Sequence, residues 1–178
     1  MVFAHDTEMS LVAAVTLVNT DGALDELEGI EELDAFYTEH EYTGRRDGDR
    51  AELDAVRRLR PRLRALLTSD RDGAVTLVNE MLAEANALPQ LVRHDHWDWH
   101  LHAVDPQAPL ATRITVETAM AMVDVIRADE LSRLGSCADS TCDGIVLDLS
   151  RNRSKRFCGT ACGNRNAVAA YRARQATS

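Results

Sequence analysis

No cysteine occurs in the first 136 residues, no lysine or arginine precedes Arg45, and no acidic residue follows Asp148. Each absence excludes something. The first confines thiol chemistry to the C-terminal segment. The second denies the N-terminus the basic region of a secretory signal, and the apolar run there is too short to span a bilayer. A cytoplasmic protein without a membrane partner is expected. The third divides the charge: residues 1–150 carry −16 and residues 151–178 carry +7. Such an acidic body repels polyanions, so a nucleic-acid partner would have to meet the tail. The chain also lacks a nucleophile elbow, a phosphate-binding glycine loop and an HExxH pair, so no enzyme is expected.

What is present is enough for one ordinary domain with a small appendage: 178 residues, of which 45% are apolar. Leu11, Val12, Val15 and Val18 recur at helical spacing, and "NTDG" breaks the pattern after Asn19. "DELEGIEELDAFYTEH" predicts an acidic helix. "RAELDAVRRLRPRLRALLTSD" predicts another, kinked or broken at Pro61. Asp72 is the expected cap of the next helix, whose inward stripe is Val75, Val78, Leu82 and Ala85. The hexapeptide "AVTLVN" stands at both 14–19 and 74–79, but its flanks differ and no repeat follows. Residues 111–134 predict one long helix, with Ile114, Thr118, Ala121, Val125 and Ala128 inward and Gly135 ending it.

All four cysteines fall in "CADSTCDGIVLDLSRNRSKRFCGTACGNR". Four residues separate Cys137 from Cys142, three separate Cys158 from Cys162, and fifteen lie between the pairs. Two short knuckles joined by a loop bring four thiolates into tetrahedral reach, which suits one structural zinc ion (Zn2+) per chain with no position left for water. Four free thiols, or redox pairs, are the alternative. "GIVLDLS" predicts a strand, "SKRF" its return strand, and "NRNAVAAYRARQ" a helix whose first turn supplies the last ligand. The layout is that of a treble-clef-like finger.

Arg151, Arg153, Lys155 and Arg156 surround the site from the hairpin, and Arg165, Arg172 and Arg174 from the helix, with Val168 and Tyr171 placed to pack inward. A helix lined with arginine beside a basic hairpin suits phosphate and base-edge contacts with DNA. A solvated basic surface is the plainer alternative. "CGNR" at Cys162–Arg165, preceded by "SRNRSKRFC", resembles the CGNR zinc-finger family of bacterial stress-induced transcription regulators, in which the finger follows an N-terminal ABATE domain. "LVNT" at 17–20 is similar to that domain's early motif. The resemblance implies zinc binding, DNA binding and regulation.

In the body, "LVRHDHWDWHLHAVDP" alternates as a strand or hairpin does, with His94, His96, Asp98, His100 and His102 on one face and two tryptophans opposite, which are expected to be buried. That face is either a solvated polar surface or a second metal site. "RRLRPRLR" at 57–64 reads as a surface run paired with Glu52 and Asp54, or as part of a site for a small anionic effector. Arg57, Arg58, His100 and His102 are the candidate ligand contacts.

The expected fold is mainly α with a small β hairpin (α+β), plus the finger. Residues 1–134 would form the body and 135–178 the finger. The expected function is a zinc-dependent DNA-binding regulator whose body senses a ligand or forms a homodimer. The alternative is a zinc-stabilised module that binds protein or RNA.

Overall fold

The computed structural model describes residues 2–22, 24–93 and 98–176. Helix α1, His5–Asn19, lies at the centre, with Leu11, Ala13, Ala14, Val15, Leu17 and Val18 all buried. Apolar side chains cover so much of its circumference because it packs against α6 (Leu110–Arg127), α4 (Arg60–Thr68) and β4 (Ile145–Leu147). Val12, one of the four apolar residues at helical spacing, is 37% exposed while Leu11, Val15 and Val18 are buried. Around this centre stand α2 (Ile30–Glu39), α3 (Arg50–Arg57) and α5 (Arg71–Glu84). The fold is 55% helical with two small antiparallel hairpins, which is the mainly α class with minor β content.

Local chemistry sets the helix boundaries. The acidic helix begins at Ile30, later than its sequence suggested, because Asp25 is held by Arg57 and Arg60 and Leu27 is buried just before it. The Glu32 carboxylate accepts from the Gly29 N–H and closes the first turn of α2. Pro61 does not kink a helix. The break falls at residues 58–59, and Pro61 occupies the first turn of α4, where its missing N–H costs nothing. The cap of α5 is Asp70, which accepts from the Gly73 N–H at 2.8 Å, and not Asp72. Its buried residues are Ala74, Val78 and Met81, with Val75 39% exposed.

A hairpin of β1 (Gln90–Val92) and β2 (His100–His102) pairs Leu91 with Leu101. Helix α6 ends at Arg127 instead of reaching Leu134, and the chain then makes a 3-10 turn at Leu131–Arg133. Gly135 consequently lies inside a strand. That strand, β3 (Leu134–Ser136), pairs with β4, so the return strand expected at "SKRF" is absent and its place is taken by residues before the first cysteine. Ile145 and Leu147 of β4 belong to the same buried core as Leu11, Leu63 and Ile114. The last helix is α7, Thr160–Ala176. No described helix is long and apolar enough to cross a membrane.

Candidate metal centre

The loop joining β3 to β4 carries the first cysteine pair. Within it the Cys137 N–H donates to the Gly144 carbonyl at 2.8 Å and the Cys142 N–H to that of Asp139 at 3.0 Å, which curls the chain around the sulfurs. The Gly144 N–H donates to Cys142 Sγ at 3.3 Å and the Cys158 N–H to Cys137 Sγ at 3.5 Å. Cys158 lies just before α7 and Cys162 in its first turn, so two hairpin sulfurs meet two from a helix start.

The four Sγ atoms lie within 4.8 Å of one another. Cys142 and Cys158 are 3.6 Å apart, and Cys158 and Cys162 3.7 Å. Zinc–sulfur bonds of about 2.3 Å place tetrahedral ligands about 3.8 Å apart, so the spacing fits zinc. Burial and the neighbouring sulfurs push the Cys158 and Cys162 thiols up, whereas Cys137, despite burial, is held down by N–H donors. Four thiolates at these distances require a cation between them. Space is as tight as charge: a Cβ on Gly144 would stand 2.8 Å from Cys158 Sγ and 3.2 Å from Cys142 Sγ. Only glycine fits there, a constraint invisible in the cysteine spacing.

Residues 133–175 match the CGNR zinc-finger family, and residues 11–129 match the ABATE family, described as "Putative stress-induced transcription regulator". The chain belongs to the ABATE family. No curated protein matches it. The ABATE body and the CGNR finger follow one another in the order the sequence suggested, and the four cysteines hold one structural zinc ion.

The CGNR arginine has a defined place. Arg165 Nε donates to Asp139 Oδ2 at 2.6 Å, and its Nη2 lies 3.2 Å from Cys162 Sγ. Asp139 also accepts from the Thr141 N–H and hydroxyl at 2.9 and 2.8 Å, and these donors with Arg165 bring its carboxyl down to about 2. Arg165 thus joins the first knuckle to α7 across the metal. Sequence reasoning placed it on DNA and missed Asp139, although an aspartate two residues after the first cysteine was in view.

The remaining basic residues divide. Arg153 pairs with Glu130 of the body at 2.7 Å and donates to Ser132 Oγ at 2.7 Å. Arg151, Lys155 and Arg156 are exposed, and the Arg156 guanidinium lies 5.8 Å from the centre of the Phe157 ring. Arg172 and Arg174 are exposed on α7. Val168 and Tyr171 do not pack inward: they are 49% and 57% exposed, since nothing described covers α7 beyond its first turns.

The finger is fixed to the ABATE body through "LVNT". Leu17 and Val18 are buried in the core. Asn19 accepts from the Ile145 N–H at 2.7 Å and donates to the Ile145 carbonyl at 2.9 Å, while the Thr20 hydroxyl accepts from Arg60 at 3.2 Å. Arg64 donates to the Asp143 carbonyl at 2.7 Å, and Arg133 to the carbonyls of Asp148 and Ser150 at 3.0 and 3.1 Å.

The candidate ligand contacts are not brought together. His100 and His102 face one another, with Nε2 atoms 2.9 Å apart, and line a cavity in the body. Arg57 is paired with Asp25, and Arg58 is exposed. Arg60, Arg62 and Arg64 of the same run hold Asp25, Glu84 and the finger, so the run ties elements together, although the pairing with Glu52 and Asp54 expected of it goes to Arg46 and Arg50. His94, His96 and Trp97 lie outside the described residues. Trp99, expected to be buried, is 64% exposed, with the Arg93 guanidinium 5.5 Å from its ring centre.

Proposed function

We propose that the protein is a transcription regulator that contacts DNA through its zinc finger, with the ABATE body governing when it does so. The observation that carries this reading is α7. It leaves the metal centre as a 17-residue helix, exposed beyond its first turns, in a segment with seven basic and no acidic side chains. In this reading Arg151, Lys155, Arg156, Arg172 and Arg174 supply phosphate and base contacts, while Arg165 and Arg153 orient the helix. The chain is then a non-enzymatic regulator acting in the cytoplasm, and a homodimer would supply the two helices that a single weak finger needs.

Anisotropy of zinc-loaded protein on a randomised DNA pool tests the reading. Affinity should fall with salt, with a log–log slope of about −0.9 per phosphate contacted. Arg172→Ala should weaken binding while Arg165→Ala should release zinc first. Absence of salt-sensitive binding would overturn it in favour of a protein partner, a second reading favoured by Val168 and Tyr171, exposed three residues apart on α7.

A further inference from the structure

A half-open cavity of about 80 Å³ opens among α1, the turn after α2, β2 and α6. One water needs about 10–15 Å³ by the same measure, so there is room for a group of several heavy atoms. Met9, Ala13, Leu101 and Pro106 give it apolar walls. Asp6, Glu41 and Glu117 bring carboxylates to its lining.

Glu117 of α6 lines the cavity, and burial pushes its carboxyl up to about 7 against the opposing influence of Arg113. Arg113 stands one helical turn before it, yet its guanidinium donates to the main-chain carbonyls of Thr43, Arg45 and Ala108. The acid has a cation nearby whose donors are directed elsewhere. His40, only 8% exposed, also lines the cavity, and its Nε2 is buried with no hydrogen-bond partner. Burial lowers its pKa, so the ring is neutral at pH 7 and offers a lone pair. A buried polar atom left unpaired is costly unless something else reaches it. At the rim Asp6 adds a second carboxylate, which accepts the Thr7 and Leu101 N–H groups at 3.0 and 3.3 Å.

We propose that this cavity binds a small organic cation, an ammonium or amidinium group on a short apolar body, with Glu117 as its counter-ion and His40 Nε2 as an acceptor. The proposal deepens the ligand-sensing part of the function above and is independent of whether the finger binds DNA. It differs from the anionic effector suggested by the arginine run, of which Arg57, Arg60, Arg62 and Arg64 are engaged elsewhere. On binding, the cation enters and the Glu117 proton leaves to solvent, so the charge of the site is conserved. Among the described residues, the other titratable groups that line the cavity with Glu117 are Arg113 on its own helix, Asp6 from α1, His40, Glu41 and Tyr42 from the turn, and His100 and His102 from β2.

Calorimetry on the full-length, zinc-loaded protein without DNA provides the test, with benzamidinium and butylammonium as probes and benzoate and butyrate as matched anions. At pH 6, in two buffers of different ionisation enthalpy, benzamidinium should bind saturably and release up to one proton, while benzoate stays silent. Glu117→Gln should weaken benzamidinium by at least about tenfold. Ser10→Leu, which adds an apolar side chain to the cavity wall from α1 and leaves the Glu117 carboxyl in place, should do the same. Benzoate binding as tightly as benzamidinium, affinity unchanged in Glu117→Gln, or no saturation by about 10 mM would each overturn the proposal.

Discussion

The ABATE body and the finger solve the problem of cohesion differently. The body surrounds α1 with a continuous apolar core running from Leu11 through Leu66 to Ile126. Apart from the β4 residues lent to that core, the finger has a cluster of only Cys137, Val146 and Cys162, packed by Cys142, Phe157 and Cys158. Most of its interior is ligand sulfur. The arginines repeat the contrast: those of α3 and α4 are mostly tied to acids or carbonyls, whereas beyond Asp148 Arg153 and Arg165 are paired with acids that lie earlier in the chain, and Arg172 and Arg174 of α7 are exposed. One region is held by burial, the other by a metal and by attachment to the first.

Removing the metal should break this comparison most sharply. Structural zinc in small fingers contributes about 10–16 kcal/mol of apparent binding energy, and that energy is folding energy. Chelation, or Cys158→Ser, should abolish hydrogen-exchange protection in α7 while α1, α5 and α6 stay protected. Simultaneous loss in α6 would show that the two regions share one fate.

The next largest effect belongs to the body alone. Glu117 ionises near pH 7 when folded, against 4.5 for an ordinary glutamate. Between those values the unfolded chain releases a proton that the folded one keeps, so stability falls as pH rises from about 4.5 to 7 and levels off above, by up to about 3 kcal/mol. Glu117→Gln should remove this slope. The wild-type minus variant difference in denaturation midpoints across that range isolates it from metal loss, which both proteins suffer alike.

A smaller effect should come from the joint between the regions. Asn19→Ala leaves the N–H and carbonyl of Ile145 without their partner, at a cost of about 2 kcal/mol. Zinc content should be unchanged, and protection at Ile145 should fall before that of Val146. The smallest should be Arg165→Lys, which keeps the charge but cannot span Asp139 and Cys162 Sγ together. Zinc affinity should drop about tenfold in a chelator competition, as losses of partners next to ligands do, with the body's melting unaltered.

These residues also mark where sequence reading stops. Cysteine spacing, the helical periods and the charge asymmetry are local patterns, and they gave the mainly α class, the zinc set and the helix that completes it. Which residues share a helix face is likewise local, but whether anything lies opposite is not. That is why Val168 and Tyr171 were placed inward on a helix that is exposed beyond its first turns, and why Val75 was assigned to a buried stripe when α4 and α6 cover the face of Ala74, Val78 and Met81. Partners distant in sequence carried no signal: Arg165 with Asp139, Asn19 with Ile145, Asp25 with Arg57 and Arg60. Strand β3 was missed because Leu-Gly-Ser has little strand character, and only pairing with β4 makes it one.

Asn19 has one more consequence. A two-stranded ribbon has two free edges, and the outer edge of β4 would present unpaired main-chain groups to any other extended chain. The side-chain amide of Asn19 offers Ile145 one acceptor and one donor, as a neighbouring strand would, and so serves as a strand of a single residue. The most apolar stretch of the finger is thereby closed to pairing between molecules, and a chain that lost this amide would expose a template for its own aggregation.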